Sequence, residues 1–333
     1  MLLLCVSFFR RVFAGAISLM LFDFLSPPTN NGDLGTLGHY RVISELGRGG
    51  MGYVFLALDT KLKRSVALKV MNQKVASSRN SQKRFVREAR AMAALHHDNV
   101  VTIFEVGKSD DTPFLAMEML KGQTLEQRNE SGEQLNYQQI IDYARQIATG
   151  LAFAHEKGII HRDIKPANIW IEEVTDRIKI LDFGLALAST PLDQLSGRGA
   201  VIGTPGYLSP EQARSEPLDD RCDLYSLGAV LYELCTGSLP VIAKSIPGQL
   251  VSIIAKRAKP INRQNPEIPK ELCELVHQLL RKEPRSRPKS AISFCEQLDQ
   301  VEMACDAKSD IAIAINNLQK GLSDIARKKD DAK

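Results

Sequence analysis

Three short runs, Tyr40–Leu46, Tyr53–Leu58 and Ser65–Val70, are rich in apolar, aromatic and β-branched residues and are separated by a glycine cluster and by a turn at Asp59–Lys63. Such short runs bounded by turn formers predict consecutive strands with a period of two. The period then lengthens. Phe85, Met92 and Leu95 share one face of a helix predicted over Ser81–Leu95, ahead of further strands at Val101–Val106 and Phe114–Met119. Beyond Gly122 the pattern is mostly helical, with helices predicted over Tyr137–His155, Arg221–Thr236, Pro247–Lys256, Lys270–Arg281 and Ser290–Met303. A strand-rich first part and a helical second part imply an α+β chain of two lobes with a cleft between them.

Residues 1–25 break this pattern. MLLLCVSFF precedes Arg10 and Arg11, and the uncharged run Val12–Phe22 is closed by Asp23. That run is shorter than the roughly 20 residues needed to span a bilayer. The arginines follow the first apolar stretch instead of leading it, which fits a secretory signal poorly. Three readings stay open: a start codon assigned too early, a membrane-docking helix, and an atypical signal anchor. Turn formers dominate residues 26–35, so this stretch reads as a linker and the fold is expected to begin near His39.

Composition narrows the classes further. Lys and Arg total 43 against 39 Asp and Glu, and so small and dispersed an excess gives no reason to expect a nucleic-acid partner. Cys5, Cys222, Cys235, Cys273, Cys295 and Cys305 include no C-x-x-C pair and no histidine at zinc-ligand spacing. They read as small buried hydrophobes in a reducing, cytoplasmic compartment.

Gly47-Arg48-Gly49-Gly50-Met51-Gly52 satisfies G-x-G-x-x-G, a weak signal alone. In a dinucleotide-binding turn the third glycine opens a helix, whereas Tyr53–Leu58 continues here as a strand. A β-hairpin tip over phosphates is the better reading, since residues without side chains let backbone N–H groups approach the oxygens. An ordinary glycine-rich turn is the plain alternative. Alternation puts Ala67 and Lys69 on one face of their strand and Val66, Leu68 and Val70 on the other. A lysine on a half-buried strand needs an anion. Glu88 shares the inward helix face with Phe85, Met92 and Leu95 and can supply it, or it sits at the rim of that stripe and reaches solvent.

His161-Arg162-Asp163-Ile164-Lys165-Pro166-Ala167-Asn168 matches H-R-D-x-x-x-x-N, Asp182-Phe183-Gly184 follows, and Ser209-Pro210-Glu211 closes the segment. With the glycine hairpin, Lys69 and Glu88 ahead of them in order, these motifs resemble the eukaryotic-type protein kinase family over about residues 40–299. The GGMG loop, Lys165–Trp170 and Gly203–Gln212 resemble its bacterial serine/threonine branch.

The resemblance implies the bilobal protein kinase fold, a small β-rich N-lobe with one main helix and a larger α-helical C-lobe. The expected division is 39–120 for the N-lobe, 121–300 for the C-lobe, 301–333 for a helical tail, and 1–38 outside the fold. It implies ATP as cosubstrate, under Gly47, Gly49, Gly50 and Gly52, with Lys69 on the α- and β-phosphates and Glu88 fixing that lysine. Asn168 and Asp182 would hold Mg²⁺, with Mn²⁺ as a substitute. Asp163 would accept the substrate hydroxyl's proton, Lys165 would contact the γ-phosphate, and Thr204 would bond the catalytic loop. Lys165 also points to the serine/threonine subclass. Val54, Ala67 and Trp170 would form the adenine slot, with Met117 as gatekeeper and Glu118, Met119 and Leu120 as hinge. Arg162 beside Asp163 implies an activation-loop phosphate, for which Ser196 is the first choice, then Thr190 and Ser189.

Ile311, Ile315, Leu318, Leu322 and Ile325 form a heptad seam over about two repeats, which would support a homodimer through 311–325 or dock on the larger lobe. The expected partners are proteins bearing Ser or Thr. Membrane contact through 1–25 is the less favoured expectation. A catalytically silent scaffold with the same fold is the alternative function, and a kinase of small molecules a third.

Overall fold

The computed structural model describes residues 22–49, 52–71, 86, 89–110, 112–183 and 205–308. They group into two compact units. One holds the described residues up to Ser131 together with Phe153–Pro205; the other holds Gly132–Ala152 and the chain from Gly206 onward.

The first unit is built on six antiparallel strands, β1 (Gly35–Leu37), β2 (Tyr40–Gly49), β3 (Gly52–Asp59), β4 (Arg64–Met71), β5 (Ile103–Ser109) and β6 (Thr112–Glu118), in the spatial order β1-β2-β3-β4-β6-β5. The alternating pattern sorts their side chains. Phe55, Ala57, Val66, Leu68, Val70, Phe114 and Ala116 enter one core with Tyr40 and Val42. On the opposite face the register sets Val54 across from Lys69, Ala67 across from Met117, and Lys69 across from Leu115. Directly opposed residues share a face, so these five form a second surface of the sheet. The helix predicted over Ser81–Leu95 is helical at 86 and 89–93, with Ala89, Met92 and Leu95 buried; Phe85 and Glu88 lie outside the described residues.

The fold starts earlier than His39. Phe22, Leu25 and Leu37 are buried in the core under β2 and β3, Ser26 bridges to Thr36, and β1 adds an edge strand to β2. The stretch expected to be a linker is a turn between two packed segments. Its turn formers mark a reversal, and only the tertiary partner distinguishes a reversal from a linker.

A second, three-stranded sheet in the same unit joins β7 (Gly122–Thr124), β8 (Ile169–Glu172) and β9 (Ile178–Ile180). Helix α1 (Leu125–Glu130) follows β7 at once, its start fixed by a reciprocal capping box between Thr124 and Gln127.

The second unit is helical: α2 (Tyr137–Glu156, whose last residues belong to the first unit), α3 (Pro210–Ala213), α4 (Arg221–Thr236), α5 (Ile246–Ala255), α6 (Ile261–Gln264), α7 (Lys270–Leu279), and helical residues 291–308. Helix α4 is buried all round from Cys222 to Tyr232, Asp223 and Ser226 included. The last helix runs past Met303. Arg145 pairs with Asp299 and Glu302, and Lys308 with Glu271, which ties it down. The seam at 311–325 lies outside the described residues. The described cysteines are unpaired and mostly buried, and burial pushes the Cys235 thiol up to about 12. Among the described residues no helix is long and apolar enough to cross a membrane.

Candidate active site

The first unit brings the sequence motifs together through one short hairpin. β8 and β9 pair with Ile169 opposite Ile180, so Asn168 meets Leu181 and its carbonyl accepts the Leu181 N–H at 2.9 Å. Asp182 follows directly. Asp182 lies fourteen positions after Asn168, the offset that hairpin spans, and its register makes neighbours of two oxygen donors remote in sequence.

Asp163 is held from two sides. Its Oδ2 accepts from Lys165 Nζ at 2.8 Å and from Asn168 Nδ2 at 2.9 Å, while Asn168 Nδ2 also donates to the Asp163 carbonyl at 2.8 Å. Both amide hydrogens of Asn168 are thereby committed, which leaves Oδ1 as its donor atom for a cation. His161, fully buried, accepts the Asp163 N–H on Nδ1 at 3.2 Å, and its Nε2 lies 2.8 Å from the Leu181 carbonyl. With Nδ1 accepting, Nε2 is the protonated nitrogen, and the ring bridges the loop to β9. Its ring also packs against Phe183 at 4.6 Å.

Two residues of this cluster adopt left-handed backbone: Arg162 at φ 65° and Asp182 at φ 49°. For residues other than glycine such conformations cost about 1–3 kcal/mol and persist only where surrounding bonds impose them. Here the bonds flank them, through His161, Asp163 and Leu181.

Lys69, buried on the second face of the sheet, reaches Asp182 Oδ1 at 2.7 Å. Burial raises the Asp182 pKa, but the Lys69 charge and hydrogen bond outweigh it and hold the carboxyl below its ordinary value. Val54, Ala67 and Met117 share Lys69's face, as the register shows. Trp170 alternates with buried Ile169 and Ile171 on the more open side of β8, and its indole N–H donates to the Lys121 carbonyl at 3.3 Å. Met119 and Leu120 connect β6 to β7, with Met119 exposed. Gly50, Glu88, Ser189, Thr190, Ser196 and Thr204 lie outside the described residues.

The residues present fit a nucleotide and a hard cation. A Cβ built at Gly47 or Gly49 would meet nothing within 4 Å. The protein's own packing therefore does not demand glycine there, and the space over the hairpin is open to an approaching group. The Asp182 carboxylate and Asn168 Oδ1 are the hard oxygens that Mg²⁺ takes while keeping several waters.

The sequence profile described as "Protein kinase domain" matches residues 40–300. The chain belongs to the protein kinase family. As a kinase-family chain it carries the fold expected of that family, with a β-sheet N-lobe and a helical C-lobe, and the family generally uses ATP and a divalent metal. A probable serine/threonine-protein kinase of Clostridium acetobutylicum is 38% identical over 263 residues, which is 79% of this chain and 40% of that protein. Serine/threonine-protein kinase pkn3 of Myxococcus xanthus is 38% identical over 272 residues, 79% of this chain and 50% of that one. This kinase chain spans half or less of the length of those relatives. The solved PknI kinase domain of Mycobacterium tuberculosis matches with a TM-score of 0.64 at 24% identity, over 80% of this chain and 97% of that one, which supports the fold.

Two features of the candidate site escaped sequence reasoning. Lys179, buried in β9, pairs with Glu118 Oε1 at 2.9 Å, and the same oxygen accepts the Thr102 N–H at 2.7 Å. The side chain of the expected hinge glutamate is thus tied to β9. A lysine between Ile178 and Ile180 was the available signal, because a buried ammonium needs a counter-charge. Gly122, at φ 131°, is the second: a Cβ there would lie 2.0 Å from the Ile171 carbonyl oxygen, so only glycine lets β7 approach β8.

Proposed function

We propose that this chain is an ATP-dependent protein kinase that transfers a phosphoryl group to serine or threonine hydroxyls of proteins. The clamped carboxylate of Asp163, in one unit with Asn168, Asp182 and Lys69, carries the reading.

ATP would supply the transferable phosphoryl group and leave as ADP, and Mg²⁺, or Mn²⁺ in its place, would supply positive charge beside it. Asn168 Oδ1 and the Asp182 carboxylate would hold the cation, and Lys69 would hold the α- and β-phosphates. Glu88 fixes that lysine, and Gly47, Gly49, Gly50 and Gly52 form the cover. Asp163 takes the proton of the acceptor hydroxyl on Oδ1, since Oδ2 is engaged by Lys165 and Asn168 and the carboxylate stays oriented. Lys165 neutralises charge beside the acceptor, and Thr204 secures the loop. Val54, Ala67, Met117 and Trp170 enclose the base, with Glu118, Met119 and Leu120 beside it.

Serine and threonine are favoured by Lys165 and by the relatives, which are named as serine/threonine-protein kinases. The described cysteines, unpaired and mostly buried, suit a cytoplasmic setting. Ser196, then Thr190 and Ser189, are the loop acceptors whose phosphate would offset the Arg162 charge. Phosphopeptide mapping that finds residues 185–200 unmodified in active enzyme removes that element.

The deciding test incubates the purified full chain with γ-labelled ATP and Mg²⁺, alone and with a generic protein acceptor, beside the Asp182→Asn variant. Label on phosphoserine or phosphothreonine, absent from the variant, is the expected result. A full chain that binds nucleotide but never labels a polypeptide is a silent scaffold.

A further inference from the structure

The family match begins at residue 40, yet the described chain is already packed into the core at Phe22. Residues 22–37 lie ahead of the family match, and their aromatic rings converge on one strand. The Phe22 ring lies 5.2 Å from Tyr53 and 5.1 Å from Phe55, both edge-on, and Phe24 lies 5.7 Å from Tyr53 and 5.9 Å from Phe22. Tyr53 and Phe55 stack at 5.9 Å.

The place of this cluster matters. Tyr53 follows Gly52, the last glycine of the hairpin, and precedes Val54, which faces the Lys69 side of the sheet. Alternation makes Tyr53 the back of the residue pair whose front is Val54. On β2, Arg48 sits between two hairpin glycines, lies across from Tyr53, and places its guanidinium 5.3 Å from the Tyr53 ring. Arg48 is further held by Glu45 through two hydrogen bonds of 3.1 Å. Both arms of the glycine hairpin thus end on Tyr53, and Tyr53 ends on Phe22 and Phe24.

We propose that Phe22 and Phe24 are positioning residues for the nucleotide hairpin, acting through Tyr53 and Arg48 to hold its two arms in the nucleotide-accepting shape. The inference rests on the ATP reading given above. A hairpin whose arms are already ordered loses less freedom on binding, so the rings contribute to affinity without touching ligand. The loss of one such aromatic contact corresponds to about 3- to 10-fold in an equilibrium constant.

The test measures ATP dissociation constants by calorimetry, and KM and kcat in the labelling assay, on the full chain. Phe24→Ala is the primary variant because Phe24 is half-buried and its loss leaves the core filled. The expected result is a Kd and KM for ATP about 3- to 10-fold higher, with kcat within twofold, and recovery in Phe24→Tyr. Phe22→Ala should do the same with a lower melting temperature. Leu25→Ala is the control: Leu25 is equally buried in this segment but packs against Gly35, so it should lower the melting temperature and leave ATP affinity alone. Wild-type ATP affinity in Phe24→Ala overturns the inference, as does a loss in Leu25→Ala equal to that in Phe22→Ala. An unsubstituted chain that does not bind ATP overturns the functional reading, and the inference with it.

Discussion

Lys69 Nζ and Asp182 Oδ1 stand 2.7 Å apart, joining the central strand β4 to the residue that follows the β8–β9 hairpin. The pair sets an acid limit on stability. Asp182 is depressed below its ordinary value, so its contribution is complete above the unfolded value of 3.8 and is lost as pH falls through the lower folded one. Denaturation midpoints measured from pH 6 to pH 3 should therefore fall more steeply for the wild type than for Asp182→Asn. Parallel curves would rule out this contribution.

Asp163 is oriented by Lys165 and Asn168, both of which bond one oxygen of its carboxylate. An asparagine amide in its place keeps the shape and one acceptor but cannot take a proton. Asp163→Asn should lower kcat by about 10²- to 10⁴-fold with an unchanged melting temperature. Trp170, the only tryptophan, then reports binding apart from chemistry. ATP should quench its fluorescence in the Asp163→Asn protein, and no change at saturation would remove Trp170 from the adenine slot.

Gly122 allows β7 to meet β8, and the indole of Trp170 bonds the carbonyl of the neighbouring Lys121. Gly122→Ala must push the strands apart. The expected cost is about 2 kcal/mol or more in urea denaturation, with a shifted Trp170 emission maximum in the folded protein. An alanine variant with wild-type emission and stability would contradict the close approach.

Arg287 uses all five of its donors. Nη1 and Nη2 bind the Glu211 carboxylate at 2.6 and 2.8 Å, and Nε, Nη1 and Nη2 reach the carbonyls of Arg281, Arg221 and Lys282. Both side chains are buried. A lysine cannot reproduce that planar fork, so Arg287→Lys should approach the loss of Arg287→Ala, about 3–5 kcal/mol. Calorimetric unfolding of the two variants decides it.

Lys282 introduces an alkaline dependence in the helical unit. Burial, aided by the charges of Arg287 and Arg214, pushes its ammonium down from 10.5 to about 8, while its Nζ bonds the Ile253 carbonyl at 2.5 Å and the Tyr225 hydroxyl at 3.2 Å. Between pH 8 and 10.5 the unfolded chain binds a proton that the folded chain lacks, so stability rises with pH across that window. The wild type should gain on Lys282→Met between about pH 8 and 10. A difference that stays constant across that range would show that Lys282 keeps its proton.

The kinase motifs were legible in the sequence because each is a run of a few residues whose chemistry depends on local order. His161–Asn168, Asp182-Phe183-Gly184 and the Gly47–Gly52 hairpin needed only spacing to be recognised, and the alternation around Lys69 gave the face it occupies. Strand and helix periods likewise determined the two-part α+β division.

Tertiary structure decided what depends on partners far along the chain. Residues 26–35 read as a linker because their turn formers are local, while the burial of Phe22, just ahead of them, depends on Tyr53 and Phe55 in another strand. The Glu118–Lys179 tie, the glycine requirement at Gly122, and the meeting of Asn168 with Leu181 all follow from strand register. Register is a property of two strands at once. A periodic pattern assigns each side chain a face, but the residue across from it is chosen only when the strands pair.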